Sequence, residues 1–221
     1  MMHAFDKIRQ TLARFFGNSG KKPHKQASLA YRQNQEAIRQ GKIPDKYTRV
    51  LDVVPGDRVL ELGAAEGVLS LLLAEHKSKV YGLEMKKERH AEALRLQALW
   101  REQGRNVDNC EMVLGDIRER LNLLDDVDTL VAVRSIYYLR DQVEPIFAEI
   151  GKHVPNIVLC GNRVRSSRYF EANGQPDDNL GKYNFYASLE GMTDVLQKAG
   201  YTVVKTIPQG DPIVVGKKDI L

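Results

Sequence analysis

From Arg58 onward, short apolar runs alternate with longer stretches in which apolar residues recur every three or four positions. The short runs, bounded by turn residues, predict strands over 58–62, 80–83, 110–114, 127–133 and 156–159. The longer amphipathic stretches predict helices over 67–76, 88–103, 143–151 and 189–199, with a short polar helix or loop after the third strand. Strands joined by mostly helical crossovers run parallel. The last two runs, YTVVKTIPQ and DPIVVGKK, are joined by only a few residues including Gly210, a hairpin-scale connection that makes them an antiparallel edge pair. The expected fold is therefore α/β: a doubly wound, mainly parallel seven-stranded sheet with a C-terminal antiparallel strand pair, plus N-terminal helices. Ligands in such a sheet bind at the carboxyl ends of the strands.

The front of the chain has a different pattern. Phe5, Ile8, Leu12, Phe15 and Phe16 fall at helical spacing among Lys7, Arg9 and Arg14, predicting a short basic amphipathic helix that GNSGKKPHK ends. A second helix is expected over 27–39, ended by Gly41, and PDKYTRVLDVV gives a third before the Pro55-Gly56-Asp57 turn. Two units follow: a basic helical segment over 1–50, serving as a cap or for recruitment, and a ligand-binding domain over 51–221.

The whole chain of 221 residues carries 33 Lys+Arg against 29 Asp+Glu, a net charge of +4. The positive excess concentrates between Lys7 and Arg49, where Glu36 and Asp45 are the acids. This mild balance suits an anionic substrate or surface better than a dedicated nucleic-acid binder. The N-terminus has no continuous apolar core of a secretory signal, and Cys110 and Cys160 have neither metal-ligand nor C-x-x-C spacing. The expected location is cytoplasmic, with peripheral contact at the inner membrane surface as the alternative that the first helix allows.

Between the first strand and its helix lies Glu61-Leu62-Gly63-Ala64-Ala65-Glu66-Gly67. Its small residues let a ligand approach the main chain. A dinucleotide fits poorly: in a G-x-G-x-x-G register the later glycines fall on Ala65 and Val68, and Glu61 and Glu66 put negative charge where a pyrophosphate needs positive. A cationic, phosphate-free ligand fits better. The segment resembles the first motif of the class I S-adenosylmethionine-dependent methyltransferases, an acid followed by G-x-G-x-G, with Ala65 in place of the middle glycine. The likeness continues in VYGLEM, which ends in Glu84 and Met85 with Glu84 21 residues after Gly63, and in VLGDI, which brings Asp116 and Ile117 after the third strand.

The resemblance implies S-adenosylmethionine as cofactor. Glu61, Gly63, Ala64, Ala65 and Gly67 would surround it, Glu84 would take the ribose hydroxyls, Asp116 with Ile117 the adenine amino group, and Met85 would line the adenine pocket; Arg134, at the end of the fourth strand, joins this set. Each also has a structural alternative: a tight turn for the glycines, an ion pair for Glu61, a strand-end acid for Glu84 and a cap for Asp116.

Methyl transfer is an in-line displacement, so the protein positions the nucleophile and helps remove its proton. The acceptor groups should come from VRSIYYLRD and CGNRVRSSRYFEANGQPDDNLGKYNF, after the fourth and fifth strands. Neither carries the Asn/Asp-Pro-Pro-Tyr/Phe motif of amino-methylating enzymes, a Pro-Cys nucleophile, or an acidic metal-binding cluster, so no metal is expected. Tyr137, Tyr138 and Asp141 are the candidates for proton removal. Arg134, Arg163, Arg165 and Arg168 are expected to converge on the carboxyl side of the sheet, where they suit a bidentate grip on carboxylate or phosphate. The polar insert over 171–182 is long enough to act as a lid. The expected reaction is O-methylation of an anionic small molecule, glycan or glycolipid. RNA methylation, a non-catalytic module that binds the cofactor, and a nicotinamide-dependent oxidoreductase are the alternatives.

Overall fold

The computed structural model describes residues 43–162 and 180–218. Helix α1 (Asp45–Leu51) leads into β1 (Arg58–Leu62), α2 (Val68–Ala74), β2 (Lys79–Glu84), α3 (Lys87–Glu102) and β3 (Cys110–Leu114). Two 3₁₀ turns, Ile117–Glu119 and Leu121–Asp126, precede β4 (Thr129–Val133), and a third, Ile136–Gln142, follows it. The chain continues through α4 (Val143–His153), β5 (Asn156–Cys160), α5 (Leu180–Ala187), α6 (Leu189–Lys198), β6 (Thr202–Ile207) and β7 (Ile213–Lys217).

The seven strands lie in the order β3-β2-β1-β4-β5-β7-β6. β1 pairs in parallel with both β2 and β4, whereas β7 is antiparallel to both β5 and β6. The expected sheet is thus the observed one. Alternation along each strand explains the two cores. Val59, Val131, Val133, Val158 and Val215 face the layer of α1, α2 and α3, while Leu60, Leu62, Leu130, Leu159 and Val214 face α4 and α6. α2 is buried along its whole length, which is why VLSLLLA has no polar stripe. α1 joins the first core through Tyr47 and Val50, each worth roughly 1.5–3 kcal/mol of burial on the scale of a large apolar side chain.

Three local differences have physical causes. β4 begins at Thr129 rather than 127, because the Asp128 carboxylate accepts the backbone N–H groups of Asp57 and Arg58 and makes residues 127–128 a clasp on the start of β1. The 3₁₀ segment after β4 had no sequence signal; it is kinked at Arg140, with φ 54°. Helix α5 was also unforeseen, since the polar insert was expected to run to Lys182. Residues 180–182 instead open a helix whose Tyr183 and Ala187 pack on Tyr137, and such tertiary contact supplies what a single short helix lacks. The expected helices before residue 43 and the insert from 171 to 179 lie outside the described residues.

Candidate active site

β1 and β4 are neighbours whose following segments depart from the sheet, so a crevice opens at their carboxyl ends. Directly after β1, the N–H groups of Gly63 and Ala64 both donate to the Leu83 carbonyl at 2.9 Å, which steers the chain over the end of β2. Gly63 has φ +82°, and a Cβ there would lie 2.7 Å from the Ser135 Cβ. Ser135 in turn donates from Oγ to the Leu62 carbonyl at 2.6 Å, tying the segment after β4 to β1. Gly67, with φ +75°, has no room for a Cβ against Met112 and Ala93. The structural alternative for both glycines therefore holds in its own right, whatever ligand approaches them.

Ala65 occupies the left-handed region too, with φ +52°. Its N–H donates to Glu84 Oε2 at 2.9 Å, and Lys86 N–H donates to Oε1 at 2.8 Å. Glu84 is thus both the acid at the end of β2 and the clamp that shapes the glycine turn. A carboxylate has about four acceptor positions, so two N–H groups leave capacity for ribose hydroxyls.

Glu61 points from β1 into the first core, 3% exposed, and accepts a hydrogen bond from Ser70 Oγ. Burial pushes its carboxyl up to about 8 against the counter-pull of Ser70 and Lys46. Lys46, on α1, was not anticipated from sequence. It is 9% exposed, its ammonium sits 4.5 Å from the centre of the Tyr47 ring, and burial together with Arg134 pulls it down to about 8. A buried acid and a buried base near the end of β1 suit the ammonium and carboxylate of an amino acid, and this charge set fits S-adenosylmethionine. Glu66, also buried, lies 3.8 Å from Arg89.

Arg134 has φ +54° and donates its N–H to the Cys160 carbonyl at 2.8 Å. Its guanidinium is committed to Asp211, with Nε 2.8 Å from Oδ2. Arg49 holds the same loop through the carbonyls of Gln209 and Asp211. Arg134 thus orders the wall of the site. Arg163, Arg165 and Arg168, expected to converge with it, lie outside the described residues.

Asp116 caps the 3₁₀ turn and accepts a fork of hydrogen bonds from Arg118, which holds its carboxyl below the usual range. An adenine amino group would share this carboxylate with Arg118. Ile117 is 2% exposed and its side chain belongs to the core, so its backbone N–H is the group it can offer. Met85 is 63% exposed beside Glu84, open to a ring from solvent.

After β4, the rings of Tyr137 and Tyr183 pack at a tilt of 45° with centres 4.0 Å apart, and Tyr138 tilts against Tyr137 at 4.7 Å. Burial, reinforced by Tyr183 and Tyr138, pushes the Tyr137 hydroxyl well above 10. It therefore stays protonated near neutrality and suits a hydrogen-bond donor better than a proton acceptor. Tyr138 and Asp141 are exposed on the same segment. Tyr183 and Asn162 complete this corner; the first entered with the unforeseen α5, and the second ends the β5 run as a buried amide without a motif to mark it. Cys110 and Cys160 are buried thiols, pushed up to about 12 by desolvation, which fits packing rather than nucleophilic roles. His90 bonds the Met112 carbonyl and His153 pairs with Asp125, so both are structural.

Comparison with known proteins gives three kinds of result. The profile of a family described as "Methyltransferase domain" matches residues 54–211. No curated protein matches the chain in sequence. Among solved structures, magnesium protoporphyrin IX methyltransferase (ChlM) from Synechocystis PCC 6803, with bound SAH, superposes with TM-score 0.57 over 98% of this chain and 95% of its own, at 14% identity. The N-terminal domain of EvdMO1, crystallised in the presence of SAH and D-fucose, gives 0.56 over 80% of this chain and 84% of its own at 19% identity. The methyltransferase domain of bacterial CtHen1-C gives 0.58 over 78% and 96% at 13% identity. At these identities the likeness is one of fold, in keeping with the sheet order. Since the family profile spans most of the sequence, the chain belongs to the methyltransferase domain family and is a class I S-adenosylmethionine-dependent methyltransferase.

Proposed function

We propose that this enzyme methylates an oxygen of an anionic small molecule or glycan. The observation that carries the reading is the acceptor corner after β4, where Tyr137 is held protonated as a donor beside Tyr183; in sequence, Arg163, Arg165 and Arg168 follow β5, outside the described residues. Protonated hydroxyls and guanidinium groups favour carboxylate or phosphate oxygens over cationic acceptors.

When bound, S-adenosylmethionine supplies an electrophilic sulfonium methyl group. Glu61 attracts the ammonium of its amino-acid end, Glu84 takes the ribose hydroxyls, and Asp116 with the Ile117 N–H takes the adenine edge. Tyr137 orients the acceptor by donating a hydrogen bond, and the proton released from the acceptor hydroxyl passes to the exposed Asp141 carboxylate or to water. Of the basic segment over 1–50, the part before α1 serves as a cap or recruitment element, since α1 itself packs in the first core, and we place the activity in the cytoplasm, where the buried Cys110 and Cys160 thiols stay reduced.

The test is methyl transfer from labelled cofactor to a panel of acidic sugars, phosphorylated metabolites, neutral sugars and RNA. Transfer to the acidic or phosphorylated small molecules is expected. Transfer confined to RNA, falling steeply with added salt, would replace this reading with nucleic-acid methylation. Tight cofactor binding with no transfer to any class would favour a binding module.

A further inference from the structure

Three tyrosines meet at the corner after β4, two buried and one open. Tyr138 N–H donates to the Ser135 carbonyl at 3.0 Å, and Ser135 is itself tied to the end of β1, so the open ring stands beside the crevice. It is 63% exposed. Two non-glycine residues at φ 54°, Arg134 and Arg140, bracket its segment, a backbone cost found where a held conformation serves a site. Tyr137 and Tyr183 meet Tyr138 at 59° and 77°, with ring centres 4.7 and 6.2 Å away. They brace one ring from its side and do not form the slot between parallel rings that a flat base fills. A donor lies at the same corner. Asn162 N–H donates to the Ala187 carbonyl at 3.0 Å, and Ala187 packs with Tyr137 and Tyr183. Asn162 is 6% exposed, and although its amide acts on the Tyr137 hydroxyl as a donor, its Nδ2 has no partner within hydrogen-bond geometry among the described residues. A buried amide left bare is costly, so the corner lacks an acceptor oxygen.

We propose that Tyr138 is a platform for the methyl acceptor and that the acceptor is a sugar ring, whose apolar C–H face lies on Tyr138 and whose hydroxyl rim takes the Asn162 amide. This rests on the reading that the enzyme methylates oxygen. A pyranose is apolar across its faces and polar around its rim, which matches one open aromatic face next to a buried donor. A flat base gains most when both its faces are covered, and an acyclic acid or phosphate has no face for Tyr138 to cover. A uronic acid or a phosphorylated sugar satisfies both this geometry and the preference for an anionic acceptor.

The experiment is saturation-transfer NMR on the full chain with saturating S-adenosylhomocysteine, using D-glucose, D-galactose, D-mannose, D-glucuronate and D-galacturonate as probes and AMP as the flat-base control. The same compounds, with glycerol 3-phosphate, lactate and RNA, are offered as acceptors of label from the cofactor. Ring C–H protons of at least one sugar should receive saturation. Its affinity should fall about tenfold or more in Tyr138→Ala, stay within about threefold in Tyr138→Phe, and fall about five- to tenfold in Asn162→Ala. Tyr138 is exposed, so its variants carry the test if Asn162→Ala does not fold. No sugar bound, AMP bound in place of the sugars, an affinity indifferent to Tyr138→Ala, or equal losses in Tyr138→Ala and Tyr138→Phe would each overturn the inference. Methylation of glycerol 3-phosphate or lactate alone would overturn it and leave the oxygen reading intact, whereas transfer confined to RNA would replace both.

Discussion

Replacing Glu61 by glutamine should raise the stability of the ligand-free protein at mildly alkaline pH. Glu61 is buried under α2 with Ser70 as its hydrogen-bond donor, and desolvation moves its carboxyl from 4.5 to about 8. Between those values the folded protein holds a proton that the unfolded chain has released. The unfolded state then binds fewer protons, so stability is fully present below about pH 4.5 and is lost as pH rises toward 8. The slope approaches about 1.4 kcal/mol per pH unit, and a rise of roughly 3.5 gives about 5 kcal/mol as the ceiling. Lys46, which favours the ionised acid, is already part of that balance. Glutamine keeps the size and an acceptor for Ser70 but does not titrate. Urea unfolding followed by Trp100 fluorescence, at several values from about pH 5 to 8, should show wild type losing several kcal/mol that Glu61→Gln retains. The difference between the two curves reports Glu61 together with its coupling to Lys46. Parallel curves would refute the reasoning, because they would mean that Glu61 ionises in the folded protein as it does in water. Saturating S-adenosylhomocysteine should flatten the wild-type curve, since an ammonium beside Glu61 favours its charged form.

Gly63→Ala should cost about 2 kcal/mol or more, from the left-handed backbone and the 2.7 Å approach to Ser135, measured as a lowered unfolding midpoint. Ala65→Gly relieves a positive φ without adding an atom and should leave stability within about 1 kcal/mol of wild type, on the stabilising side if the left-handed strain outweighs the gain in chain entropy. Tyr137→Phe should lower kcat without removing an ionisation from the pH-rate profile below about pH 10, because its hydroxyl does not titrate there; loss of such a limb would identify Tyr137 as the base after all.

The sheet and the glycine turn at its carboxyl end were legible in sequence because they depend on local pattern. Continuous apolar runs such as those of β4 and β5 suit strands buried on both faces, and a strand-turn-helix with an acid on either side of its small residues describes a site within one stretch of chain. Glu61, Gly63, Ala65 and Glu84 were all visible in this way, although only the fold showed that Glu84 receives the Ala65 N–H and that Gly63 makes room for Ser135. The acceptor side was less legible. Tyr183 reaches Tyr137 from a helix stabilised by that contact, and Asp211 takes the Arg134 guanidinium across 77 positions of sequence. Lys46 carried no signal at all, since a lysine in a short polar-looking helix normally faces water. Periodicity along the chain determined which segments form strands and helices and where the glycine turn lies. The tertiary structure alone decided which charges are buried together, because burial and Coulombic pairing depend on distances in space that residue spacing does not encode.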